Sequence, residues 1–259
     1  MTDSSRTIDQ IQKTFQDILQ FNPSQDDQNC IDFFNSLESN LTDINYRSLL
    51  PQAIPYSSYP QIVKFFEETN NETINKVISE VITGISSGKT EILQELLKYD
   101  ILNIIFNRMG SSKFINSISY HFQTIANFIS DSNPEISQKA NQTFSFEFLV
   151  KSFQQLKSKF SDHPEIRTAC LRNYIKCIYM TIEKHSKSVS INYSTIMIID
   201  LKSLQADIKN DSETCKIFCY LMMSLIDSNL IDYSDFEAYK YPTFLDDLSK
   251  SDSDQIKSY

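Results

Sequence analysis

The chain of 259 residues is predicted to be all-α, a stack of helical repeats with no sheet. Two observations carry this expectation. There are only 3 Gly and 7 Pro, against average usage of about 7 % and 5 %, so the corners that a sandwich or barrel needs are missing. An eight-residue phrase, apolar at its positions 1, 4, 5 and 8, also keeps returning. It reads YPQIVKFF at 59–66, LNIIFNRM at 102–109, FEFLVKSF at 146–153, more loosely TIMIIDLK at 195–202, and YPTFLDDL at 241–248. That spacing of apolar positions makes one face of a helix.

Taken in chain order, residues 5–21 and 26–40 are expected to form an N-terminal helical cap within 1–44, with Phe33, Phe34 and Leu37 turned inward. Between the phrases lie longer apolar patterns at 72–88, 113–133, 164–186 and 212–229. In the first, Ile74, Val77, Ile78, Val81, Ile82 and Ile85 keep helical spacing; in the second, Phe114, Ile118, Phe122, Ile125 and Ile129 do so. The third and fourth are apolar nearly all round, as in a helix packed on both sides. Shorter segments at 89–99 and 133–142 precede two of the phrases, so a unit offers a short, a medium and a long helix.

Boundary residues agree with this division. Asp162 and Glu165 have capping-box spacing, as do Ser234 and Glu237. Asn133 before Pro134 reads as an N-cap with a first-turn proline. Gly88 and Gly110 follow helical stretches, where a left-handed closing residue is expected. Residues 188–199 alternate in polarity as a strand would, yet no partner strand is visible, so they are read as loop plus helix. Residues 250–259 are too polar to order themselves.

A period of roughly 40–47 residues is that of armadillo and HEAT arrays, and the units resemble divergent armadillo repeats. YPQIVKFF and YPTFLDDL are similar to the family's second helix, GAIPxLVxLL, down to the Pro. QTIANFISDS at 123–132 is similar to the end of its third helix, WALSNIAGDS, with Asn127 at the Asn position. The resemblance implies a right-handed α-solenoid of three-helix repeats over 45–249, about four units plus a truncated C-terminal one. It also implies a concave surface lined by third helices, where relatives hold extended peptides with a Trp and an Asn four residues apart. Carried over, those positions are Glu80 with Gly84, Gln123 with Asn127, Cys177 with Thr181, and Tyr220 with Ser224. The chain has no Trp and one Asn in the four slots, so most of the peptide-clamping ladder is absent.

Charge narrows the partners. The net charge is −9, with Lys and Arg scattered among Asp and Glu. Nothing supplies the positive surface that nucleic acid or an anionic membrane requires, and a protein or peptide partner of basic character is favoured. The N-terminus lacks an apolar leader and no apolar run reaches the roughly 18 residues of a membrane span, which points to a cytoplasmic or nuclear protein. Five Cys fit no closed disulfide framework.

Catalytic and metal-binding patterns are missing. Three Gly residues cannot build a phosphate loop or a dinucleotide turn. Cys170 with Cys177, Cys215 with Cys219, and Cys30 read as small core hydrophobes rather than metal ligands. His121, His163 and His185 have no nucleophile or ligand at motif spacing, and a protonated His185 would suit a helix C-terminus. Adjacent carboxylates such as Glu67–Glu68, Asp26–Asp27 and Asp246–Asp247 diverge by about 100° on a helix and do not converge on one atom. Ser249 and Ser251 each precede an acid three residues on, as in sites of acid-directed kinases. The function expected is therefore a non-catalytic scaffold or adaptor without cofactor or metal. The alternative is an enzyme whose active-site residues are dispersed over a helical scaffold.

Overall fold

The computed structural model describes residues 3–23, 28–110 and 112–231, together with 234 and 237. The phrase at 241–248, the tail, the pairs Asp26–Asp27 and Asp246–Asp247, and most of the Ser234–Glu237 box lie outside these residues. The chain divides into two compact units, Met1–Ile136 and Ser137–Tyr259, each described by itself. Among the described residues there is no strand.

The first unit opens with α1 (Asp3–Asp17) and α2 (Gln28–Leu41). Ile11, Phe15, Phe34 and Leu37 are buried, and half-buried Phe33 packs against Phe21 and Phe34. Two three-helix sets follow: α3 (Ile44–Ala53), α4 (Tyr59–Glu68) and α5 (Glu72–Ser86), then α6 (Thr90–Leu97), α7 (Ile101–Met109) and α8 (Ile118–Ser130). The long helices stack, α5 lying between α2 and α8. α9 (Pro134–Thr143) carries the chain into the second unit, which holds α10 (Phe146–Lys157), α11 (Pro164–His185), α12 (Ile191–Lys202), α13 (Gln205–Asn210) and α14 (Ser212–Asp227). Here α11 packs along α14 and α10 on α11 and α12. The stretch that alternated like a strand is a 3₁₀ turn, a short link and α12.

Side chains at the helix starts explain where the elements begin. Asp43, Asn71, Ser145 and Asp211 each accept a backbone N–H of the first turn of α3, α5, α10 and α14, and Asn133 Oδ1 takes the Glu135 N–H at 2.9 Å. The apolar phrase then buries its face: Tyr59, Ile62, Val63 and Phe66 in α4, and Phe146, Leu149, Val150 and Phe153 in α10, are all within 3 % of full burial. A cation ties neighbouring sets together. Arg108 of α7 donates to the Glu67 carbonyl at 2.6 Å and the Thr69 carbonyl at 3.1 Å, satisfying carbonyls at the end of α4 that no helical N–H reaches.

Several boundaries differ from the sequence expectation. The phrase in α12 is shifted by one residue: Ser194, Met197, Ile198 and Leu201 are buried while Ile199 is 47 % exposed. Phe106, at position 5 of its phrase, is also exposed, because α7 turns Ile101 and Ile104 inward instead. The long pattern at 113–133 is not one helix; Phe114 has non-helical angles and α8 starts at Ile118. At the Asp162 box, α11 starts at Pro164 with His163 rather than Asp162 as N-cap, and the His163 side chain makes no capping bond.

Left-handed residues are also placed differently. Neither Gly88 nor Gly110 has positive φ; Asp100 (56°) and Asn229 (52°) take that role. Gly88 is needed for space instead. A Cβ there would lie 2.8 Å from Pro51 Cβ and 2.5 Å from Ile92 Cδ1, so Gly88→Ala is expected to cost about 1–3 kcal/mol by overpacking. A urea midpoint equal to wild type would refute this.

Candidate functional site

In the first unit, α5 and α8 present a polar face laced by bonds between residues about 40 apart. Tyr120 donates to Glu80 Oε2 at 2.8 Å, and Arg47 lies 3.5 Å from Glu80 Oε1. The Glu80 side chain is only 13 % exposed; burial raises its pKa, against the opposite pull of the Tyr120 hydroxyl and Arg47. Thr83 and Thr124 hydroxyls meet at 2.9 Å. Gln123 Nε2 donates to Asn127 Oδ1 at 2.7 Å, and Asn127 Nδ2 donates to Ser86 Oγ at 2.9 Å. The amide that would grip a ligand backbone therefore already bridges two helices of the stack. Beneath this face, fully buried His121 lies edge-on to Phe66, with Nε2 3.3 Å from Ser79 Oγ.

The second unit differs. Arg172 grips Asp211 with a two-pronged contact (2.9 and 2.6 Å), and Asp211 also caps α14. Burial pushes the Asp211 pKa up, but Arg172 and Thr214 together bring it below the ordinary value. Further along the two helices, the Tyr179 and Tyr220 rings stack at 6.1 Å and 28°, and the Ser224 hydroxyl donates to Glu183. Glu183 is exposed and Tyr220 is 39 % exposed. This is an accessible aromatic pair with a carboxylate four residues after its first member.

No protein-family model matches the chain, and no curated protein does. Solved structures do match. A computationally designed armadillo repeat protein for modular peptide recognition gives a TM-score of 0.60 at 17 % identity, over 96 % of this chain and 95 % of that one. A designed armadillo repeat protein in complex with peptide (KR)4 gives 0.55 at 16 %, over 99 % and 96 %. Another, YIII(Dq)4CqI, gives 0.56 at 15 %, over 96 % and 95 %. The fold is an armadillo-like α-solenoid.

In armadillo terms α5, α8, α11 and α14 are third helices, and the structure shows what occupies each position carried over from the family. Glu80, Gln123 and Asn127 lie on the partly exposed face of α5 and α8, and Tyr220 lies on that of α14. Ser224 is 6 % exposed and directed at Glu183. Cys177 and Thr181 have no exposed surface, and Thr181 bonds back to the Cys177 carbonyl. They offer a partner nothing. Tyr220 and Ser224 sit against Tyr179 and Glu183, so the accessible pair on α11 comes two residues later than the carried-over one. A Tyr followed four residues on by a polar side chain, repeated after 41 residues, was the signal available in the sequence.

Cys30, Cys170, Cys177 and Cys215 are buried and Cys219 partly so, and burial drives the Cys170 and Cys177 pKa values upward. His185 Nε2 lies 2.8 Å from Ser137 Oγ, and burial lowers its pKa. Among the described residues no group of three His, Cys, Asp or Glu could hold a metal, and no helix is long and apolar enough to cross a membrane. A cleft of about 710 Å³ in the first unit is lined by Pro51, Pro55, Tyr56, Gly88, Lys89 and Glu91, among others, with no His or Cys.

Proposed function

We propose that this chain is a non-catalytic interaction protein, a scaffold or adaptor that holds a protein or peptide partner on the surface of its helical repeats. The observation that carries the reading is the stacked Tyr179–Tyr220 pair beside Glu183. Two π faces and a carboxylate favour a cationic side chain, Arg above all, by cation–π attraction and ion pairing. Support comes from the net charge of −9 and from a structural neighbour that is itself in complex with peptide (KR)4. The polar face of the first unit with Glu80, Gln123 and Asn127 is a weaker contact zone of its own, because its amides already serve the fold.

The test is fluorescence polarisation of a labelled alternating Lys/Arg octapeptide with the full chain. Tyr179→Ala plus Tyr220→Ala is expected to weaken binding at least ~30-fold, about 2 kcal/mol for an aromatic anchor. Gln123→Ala plus Asn127→Ala is expected to cost less. Unchanged affinity in the tyrosine double variant, or no binding by wild type at low salt, would remove this site from consideration.

A further inference from the structure

Among the described residues His, Cys, Asp and Glu do not gather in threes, but sulfur gathers on α14. Cys215, Cys219, Met222 and Met223 belong to this one helix. Its 3.6-residue turn spreads them over an arc of only about 100°, outside which Tyr220 and Ser224 fall. Exposure grades across the arc. Cys215 and Met222 are sealed at 3 % and 2 %, Cys219 is partly exposed, and Met223 is 60 % exposed. The cluster thus has a dry floor and an open side, and a large thioether stands at the opening.

The two thiols touch. Cys215 donates to the Cys219 sulfur; that bond, with burial behind it, raises the Cys215 pKa, and it lowers that of Cys219 against the upward pull of burial. Distance decides what the pair can do. Side chains four apart on a helix hold their Cβ atoms about 5–6 Å apart, whereas a disulfide needs about 3.5–4.5 Å, so a direct S–S bond would bend α14. Two thiolates sharing an ion at metal–sulfur distances of about 2.3 Å span up to about 4.6 Å, which such a pair reaches without moving its backbone.

We propose that Cys215 and Cys219 bind a soft monovalent cation of the Cu(I) class as a bis-thiolate, with Met223 supplying a thioether as third ligand. Thiolate and thioether sulfur select such ions. Ca²⁺ and Mg²⁺ take oxygen ligands, and Zn²⁺ wants four ligands of which a thioether is not one. Both thiol protons pass to solvent on binding, so a +1 ion leaves a complex of net charge −1. Asp211 opposes that charge and Lys209 favours it.

The full chain, reduced and held without oxygen, is titrated with Cu(I) against a chromophoric Cu(I) chelator. Wild type is expected to take one ion per chain. Cys219→Ser and Cys215→Ala are each expected to weaken binding at least about 100-fold and Met223→Leu about tenfold, on a scale where losing an outer-shell partner costs about 10–100-fold. Cys30→Ala, in the other unit, should bind as wild type does. Cys219 is partly exposed, so its serine variant is the one expected to keep the wild-type melting curve. No competition by wild type, or equal affinity in folded Cys219→Ser, would overturn the proposal. Displacement of the bound ion by equimolar Zn²⁺ would do the same. Every variant leaves Tyr179 and Tyr220 in place, so peptide binding is read independently.

Discussion

Phe153→Ala is expected to lower the stability of the second unit by about 4 kcal/mol, the upper part of the range for deleting a buried aromatic ring. Phe153 is fully buried and lies parallel to Tyr174, centroids 3.8 Å apart at 2°. Phe160 closes over its edge at 5.9 Å. Truncation removes the transfer energy of the ring, the stacking, and leaves a cavity between α10 and α11 that neighbouring aromatic rings cannot collapse to fill. The check is urea unfolding: the midpoint should fall by about 2 M at an unchanged m-value, while Phe153→Leu, which keeps most of the volume, should lose far less. A loss under about 1 kcal/mol for alanine, small on the scale of core truncations, would mean that this contact does not anchor the phrase helix to the third helix.

The second large effect is acid destabilisation through His121. Burial, with Arg108 adding to it, lowers its pKa from 6.5 to about 3 in the folded chain. Arg108 cannot move away, because it is held by the Glu67 and Thr69 carbonyls and lies over Phe114 at 4.4 Å. Among the described residues His121 Nδ1 has no hydrogen-bond partner, so a proton there would be buried without compensation. Between pH 6.5 and 3 the unfolded chain binds this proton and the folded chain does not. The stability contribution is thus fully present above pH 6.5 and is lost as pH falls, by about 1.4 kcal/mol per unit. Denaturation at pH 6.5, 5.5 and 4.5 should show that slope in wild type and a flatter one in His121→Gln, which keeps a group able to bond Ser79. Parallel slopes in the two proteins would sink the assignment.

Elements were legible where one face of a helix differs strongly from the other. In α4, α5 and α10 the apolar spacing alone picks out the buried side, and the structure buries those residues. The errors fall on helices whose apolar residues run round the whole circumference. α12 is offset by one residue and the accessible pair on α11 by two, and both helices are only weakly amphipathic. A helix covered on two sides has no contrast to set its rotation, so Cys177 and Tyr179 read alike until a neighbour covers one and leaves the other exposed. The same limit applies to Asn127. Its position on a third helix was visible in QTIANFISDS, whereas the commitment of its amide to Gln123 and Ser86 arises only when α8 is laid against α5.

The amino-acid sequence by itself determined the helical class, the period and the kinship of the units, because these depend on local spacing of apolar side chains and on scarce turn residues. Tertiary structure alone decided which way each long helix faces, which polar groups are taken up by the stack, and which aromatic pair remains for a partner. Those properties belong to pairs of residues about 41 apart, and such pairs come into being only when successive units pack.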